Sequence, residues 1–177
     1  MASAARKAGA SMVNDVSGFT FDPDLLPYCS KYKLPVCVMH MQGSPEDMQN
    51  NPKYENILIE VFDFLENQIS KLVQAGISKD HIIADVGIGF GKNLGHNLTL
   101  IKNISLFHGL GVPLLLGVSR KSIISSVAKV EKPSDRVHGS ISLAISALGQ
   151  GVQLFRVHDV AETKQDFDIW VAVNFGE

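Results

Sequence analysis

Short β-rich runs and helical periodicity take turns along the whole chain, and every one of the five β-rich runs stops at polar residues. The runs are Ser11 to Val13, ending in Asn14 and Asp15; Leu34 to Val38, ending in Met39, His40, Met41 and Gln42; and Ile82 to Ala84, ending in Asp85. Two more follow: Leu114 to Val118, ending in Ser119, Arg120, Lys121 and Ser122, and Val152 to Phe155, ending in Arg156, His158 and Asp159. Leu114 to Val118 is apolar without a break, the mark of a strand covered on both faces. Between runs, Ile57, Leu58, Val61, Phe62, Leu65, Ile69, Leu72 and Val73 fall three and four apart, which predicts a long helix over residues 54–75 closed by Gly76. Leu94, Leu98, Ile101 and Ile104 predict another over residues 94–110, with those four on its buried face. Ser134 is placed to cap a helix carrying Val137, Ile141, Ile145 and Leu148, and residues 162–173 predict a closing helix resting on Phe167, Trp170 and Val171. Residues 2–8 read as the last turns of a helix stopped by Gly9.

Alternation at this spacing makes a parallel sheet with right-handed crossovers. Two α/β folds are built that way. A (β/α)8 barrel brings all its strand ends to one mouth, whereas a doubly wound open sheet sets only the strands near its switch point around a ligand. Polar residues at all five tips favour the (β/α)8 TIM barrel. The 177 residues, 45% hydrophobic, suffice for one domain spanning 1–177. A whole barrel takes about 250 residues, so roughly three β/α units are expected ahead of Met1.

Composition removes several function classes. A net charge of −2 without basic runs argues against nucleic acid, and no apolar run approaches the ~18 residues of a membrane span. Cys29 and Cys37 have no C-x-x-C spacing and no apolar leader precedes them, so buried packing in a reducing cytoplasm is expected. His81, His96, His108 and His138 have no partner at ligand spacing, so a caged zinc is not expected. Arg136 and Asp135 read as helix surface, and His40, between Met39 and Met41, as a polar tooth in an apolar wall.

The densest stretch is Ile82 to Lys92, in which a buried run hands Asp85 to a loop where Gly87, Gly89 and Gly91 alternate with Ile88 and Phe90. Such a loop suits a flat ring, an anion or simply a sharp turn. It is not a Walker loop, because Val86 and Asn93 stand where glycine and Ser or Thr are needed, and G-x-G-x-G is not the dinucleotide pattern. Across the tips, Asn14 offers an amide, Asp85 a carboxylate, Lys121 an ammonium, Arg156 a guanidinium and His158 an imidazole. Asp85 accepts N–H groups from a ring-amide edge, and Asn14 both donates and accepts there. Arg156 and His158, two apart on a strand, are expected to point the same way and to meet a phosphate or pyrophosphate. Each also has a plainer reading: helix cap for Asp85, solvated surface for Lys121, loop-carbonyl partner for His158. Five at one mouth outweigh these.

In their order, Val13-Asn14-Asp15-Val16-Ser17-Gly18, Met39-His40-Met41-Gln42-Gly43, the Asp85 to Lys92 loop, Ser119-Arg120-Lys121-Ser122 and Arg156-Val157-His158-Asp159 resemble the dihydropteroate synthase family, pterin-binding barrel enzymes of folate synthesis. The resemblance spans essentially the whole chain as the C-terminal two-thirds of such an enzyme. It implies transfer of a dihydropterin-methyl group from its pyrophosphate ester to 4-aminobenzoate, in a sulfonamide-target transferase that is cytoplasmic and commonly dimeric. By that resemblance Asn14, Asp85 and Lys121 hold the pterin with Met39 against its face. Phe90, Lys121 and Ser122 border the aminobenzoate, and Arg156 and His158 take the leaving pyrophosphate with Mg2+. Lys121, Arg156 and His158 are then the catalytic set, and no metal ligand is expected within this chain, the family's metal-binding Asn lying further upstream. A non-catalytic pterin-binding module and a pterin-dependent methyltransferase are the alternatives. The chain departs from the family at Asp85-Val86-Gly87, where proline is usual after the Asp, and at Ile88, where Phe is common; valine is expected to loosen the turn.

Overall fold

A computed structural model describes residues 1–176. Five strands, β1 (Val13–Asp15), β2 (Val36–Met39), β3 (Ile82–Asp85), β4 (Leu114–Leu116) and β5 (Leu154–Phe155), pair in parallel as one sheet in the order β1-β2-β3-β4-β5. Order in space repeats order in the chain. A doubly wound sheet must reverse its order at a switch point, and these five strands do not. Sequential right-handed crossovers put the connecting helices on one face, so the sheet is an arc of the β/α barrel that the alternation predicts.

The helices are α1 (Ala2–Lys7), α2 (Leu25–Lys31), α3 (Ile57–Gln74), α4 (Leu94–Lys102), α5 (Ser122–Ala128), α6 (Val137–Leu148) and α7 (Val160–Phe175). α3 begins where Asn56 Oδ1 accepts the N–H groups of Leu58 and Ile59, and it buries Ile57, Val61, Leu65, Ile69 and Leu72 as its periodicity predicts. Those residues pack on Val36, Val38, Ile82, Ala84, Leu114 and Leu116 of the sheet. Strand side chains alternate, so the opposite face carries Asn14, Cys37, Met39, Ile83, Asp85, Leu115 and Leu154. None of these seven belongs to the core shared with the helices. They line the inside of the arc.

Several expectations are corrected. α4 stops at Lys102 and a 3-10 turn follows from Ile104 to Leu110. Leu94 and Leu98 are 36% and 41% exposed, and the buried face is Asn97, Leu100 and Ile101. The cause is polar: Asn97 Oδ1 accepts the Gly89 N–H at 2.8 Å while its Nδ2 donates to the carbonyls of Asn93 (2.8 Å) and Lys92 (3.2 Å), which turns α4 toward the glycine loop. Ser134 bonds Asp135 inside a 3-10 turn and caps nothing. Phe167, Trp170 and Val171 face inward from α7 but are only half-buried. The short helices α2 and α5 have no clear apolar period to announce them. Arg136 is not helix surface: half-buried, it donates to the carbonyls of Val130 (2.9 Å), Arg120 (2.9 Å) and Glu131 (2.5 Å).

Candidate active site

Sheet register alone assembles most of the mouth. Met39 pairs with Asp85, Asp85 with Leu115, and Leu115 with Leu154, so all four share the inner face at one level. Asn14, which pairs with Cys37, lies on the same face two residues lower, and Arg156 stands two residues above Leu154. The Arg156 N–H still donates to the Leu116 carbonyl at 3.0 Å, which carries the strand's direction to that point. Asn14, on the edge strand, and Arg156 are exposed, and Met39 is buried beside Asp85.

Asp85 is 7% exposed, and its Oδ1 accepts the Gly87 N–H at 2.8 Å. That bond orients the carboxylate across the turn at Val86. Burial pushes its carboxyl above the usual range, opposed by the Gly87 N–H and by the positive charges of Lys121, Lys92 and Arg156. The free oxygen and remaining lone pairs can receive two N–H donors from a ring.

Beyond Asp85 the backbone carbonyls from Ile88 to Gly91 each accept a side-chain donor. Lys121 Nζ takes Ile88, Gln49 takes Gly89 (2.6 Å), Lys92 takes Phe90 (2.9 Å) and the Tyr54 hydroxyl takes Gly91 (2.8 Å). The loop is thereby held from four sides. Gly87 and Gly91, both at positive φ, leave no room for side chains: a Cβ would fall 1.9 Å from the His40 carbonyl oxygen and 2.3 Å from that of Gln42. Lys121 Nζ also stands 4.8 Å from the centre of the Phe90 ring, so ammonium and ring form one wall. Burial lowers the Lys121 ammonium, with Asp85 opposing and Arg156 adding.

The loop after β4 is fixed by its neighbours. Arg120, at a φ of 59°, pairs with Asp159 (2.5 and 3.1 Å), and its N–H donates to Ser140 Oγ at 2.9 Å. Lys121 follows directly, and Ser122 opens α5, exposed. His158 departs from expectation. β5 ends at Phe155, and both the N–H and Nδ1 of His158 meet Ser119 Oγ, at 3.1 and 2.9 Å. A loop bond to the neighbouring tip, not strand alternation with Arg156, sets its place. His40 is buried, as a polar tooth in an apolar wall should be, but its contact with the buried Lys92 is not foreseen; a lysine directly after the third glycine is the only signal of it in the sequence.

Mg2+ does not fit the residues present. Among the described residues no three His, Cys, Asp or Glu side chains come together, and Lys121, Arg156 and His158 offer nitrogen groups where Mg2+ takes oxygens. Cys29 and Cys37 are buried free thiols, with burial pushing Cys37 up to about 12. No helix among the described residues is long and apolar enough to cross a membrane.

Fold and mouth define a class, the parallel β/α-barrel chains whose functional groups stand at the carboxyl ends of the strands. The family described as pterin binding enzyme matches residues 1–158, and this chain belongs to it. It is 45% identical over 157 residues to the dihydropteroate synthase of Escherichia coli K12, covering 89% of this chain and 55% of that protein. The chain thus spans little more than half the length of that relative. It superposes on the Yersinia pestis dihydropteroate synthase solved with a sulfonamide drug at a TM-score of 0.90, with 41% identity, 94% of this chain and 60% of that one. The Thermus thermophilus dihydropteroate synthase in complex with 4-aminobenzoate gives a TM-score of 0.92, with 37% identity, 97% of this chain and 69% of that one. The same synthase in complex with 6HMPPP gives 0.91 at 37% identity, over 96% and 66%.

Proposed function

We propose that this chain carries the ring- and anion-binding mouth of a dihydropteroate synthase, which joins 6-hydroxymethyl-7,8-dihydropterin pyrophosphate to 4-aminobenzoate and releases pyrophosphate. The observation that carries the reading is the shared inner face, where Asp85, one oxygen already oriented by Gly87, stands at the level of Met39 below Arg156 and beside the Lys121–Phe90 wall. In this reaction the amine nitrogen bonds to the pterin methylene carbon as the C–O bond breaks, the electron pair of that bond leaving with the pyrophosphate oxygen, and the nitrogen then gives up one proton to the departing pyrophosphate or to water. Positive charge grows on the ring and negative charge on the leaving group. Asp85 faces the first; Lys121 and Arg156, with the His158 ring beside them, stand on the side of the second, and donors held in place in this way need no rearrangement as the bond breaks. Asn14 holds the ring edge, Met39 its face, and Phe90, Lys121 and Ser122 border the aminobenzoate. The relatives solved with 4-aminobenzoate, 6HMPPP and a sulfonamide support both substrate and inhibitor classes.

The same reading places the chain in a reducing cytoplasm, supported by two buried free thiols, and pairs two copies, supported by exposed Val160, Ile169, Val173 and Phe175 along α7. Arg156→Ala tests it. Affinity for the pterin pyrophosphate should drop by the worth of a charge-assisted bond, ~1.5–3 kcal/mol, while affinity for the unphosphorylated pterin holds. Equal losses for both ligands would reduce Arg156 to a wall of the pocket, and no binding of either by the unsubstituted chain would end the synthase reading.

A further inference from the structure

One buried cation has no part in the reaction as described. Lys92 is 2% exposed, and its Nζ reaches His40 Nδ1 at 2.8 Å, the Phe90 carbonyl at 2.9 Å and the His40 carbonyl at 3.3 Å. An ammonium has three donor hydrogens and no acceptor, so all three are used when His40 accepts at Nδ1 and keeps its proton on Nε2. Those bonds join the glycine loop to the tip of β2, one residue beyond the Met39 that pairs with Asp85. The two segments run close together at Gly87, where a Cβ would meet the His40 carbonyl and stand 3.3 Å from Lys92 Nζ. Gly87 is also the residue whose N–H orients Asp85. Taking an ammonium out of water is expensive, and an apolar side chain would fill the space without that cost.

We propose that Lys92 is a positioning residue of the ring pocket: through His40 and the Phe90 carbonyl it clamps the glycine loop to β2, and so holds Asp85 and Phe90 in the attitude in which they receive the ring. The inference rests on the pterin reading above. Charge works with geometry, since Lys92 is one of the three positive charges that draw the Asp85 carboxyl down against its burial. The titratable groups around Lys92 are His40 from β2, Asp85 from β3, Lys121 from the loop after β4 and His96 from α4. Burial pulls the Lys92 ammonium down to about 7, with Asp85 opposing and Lys121 adding. Burial and the neighbouring ammonium hold His40 down to about 3, so its ring is neutral and free to accept. When Lys92 loses its proton the charge-assisted bonds become neutral ones, roughly half as strong. Ring affinity should therefore fall as pH rises through about 7.

The test is calorimetric titration of 6-hydroxymethyl-7,8-dihydropterin into the 177-residue chain on both sides of that pH, for the unsubstituted chain, Lys92→Gln and Lys92→Met. The unsubstituted chain should lose about three- to tenfold in affinity across the interval. Lys92→Met should bind about tenfold more weakly on the acid side, and with no pH dependence. Lys92→Gln, which keeps two donor hydrogens but no charge, should fall between them and be equally flat. A folded Lys92→Met with the affinity and pH profile of the unsubstituted chain overturns the inference and leaves the pterin reading standing. An unsubstituted chain that binds no pterin at either pH takes down both. If Lys92→Met does not fold, the Lys92 amine signal of the unsubstituted chain, followed by nitrogen-15 NMR, decides. By linkage, saturating pterin should raise its titration midpoint, and an unmoved midpoint overturns the inference.

Discussion

Asp85 accepts one N–H from its own loop and keeps its other lone pairs for a ligand, which makes it the most sensitive residue of the mouth. Asp85→Asn preserves the shape but turns one acceptor into a donor facing ring N–H groups, and should weaken pterin binding by about 1–3 kcal/mol in a direct titration. Equal affinity in the two proteins would take Asp85 out of the site. Lys92 makes a prediction of a different kind, on stability. Its folded-state pKa of about 7 lies below the ordinary 10.5, so between those values the unfolded chain binds more protons and unfolding becomes harder as pH rises. Below about 7 both states are protonated and the full penalty of the buried charge is present. Lys121 is depressed by burial too and adds in the same direction. Cys37 works the opposite way above 9.0, where the unfolded thiol ionises and the folded one does not, and the raised Asp85 carboxyl opposes from 3.8 up to its folded midpoint, so the Lys92 contribution is read against Lys92→Met in the window from pH 7 to 9. The urea midpoint should climb across it, and Lys92→Met should flatten most of the climb.

Among the elements, the glycine loop is where backbone geometry leaves least freedom. Gly87→Ala must place a methyl against the His40 carbonyl at positive φ, whereas Gly89→Ala, also at positive φ, would stand 3.5 Å from the flexible Lys121 side chain. Gly89→Ala should cost about 1–2 kcal/mol for its backbone alone, and Gly87→Ala clearly more, both read from urea unfolding. Such contrasts explain how much was legible in the chain. The strands, α3 and the mouth could be read because each follows from a period or a strand end: apolar runs, three-and-four spacing, polar residues where a strand stops. The buried face of α4 could not, because Asn97 turns the helix to serve a loop several residues upstream and overrides the Leu94–Leu98 stripe. His158 escaped for a related reason, since the bond to Ser119 that places it comes from another strand's tip. Arg136 likewise spends its donors on the carbonyls of two other segments, which no local pattern displays.

For the whole molecule, the governing feature is that the five strands lie in the order in which they are made. Among the described residues β1 pairs only with β2 and β5 only with β4, so each has a free side. Unpaired strand edges recruit other chains, and residues 1–177 on their own should associate increasingly with concentration in sedimentation velocity, with little synthase turnover. A concentration-independent monomer with full turnover would contradict this. Because order in the chain and order in space coincide, any further β/α unit joining either edge continues the sheet without displacing a strand already in place. Assembly of this scaffold is in that respect like adding staves to a cask. Two separately expressed pieces, divided at a loop between units, have a direct route to one closed wall, and recovery of function from such halves would report their meeting.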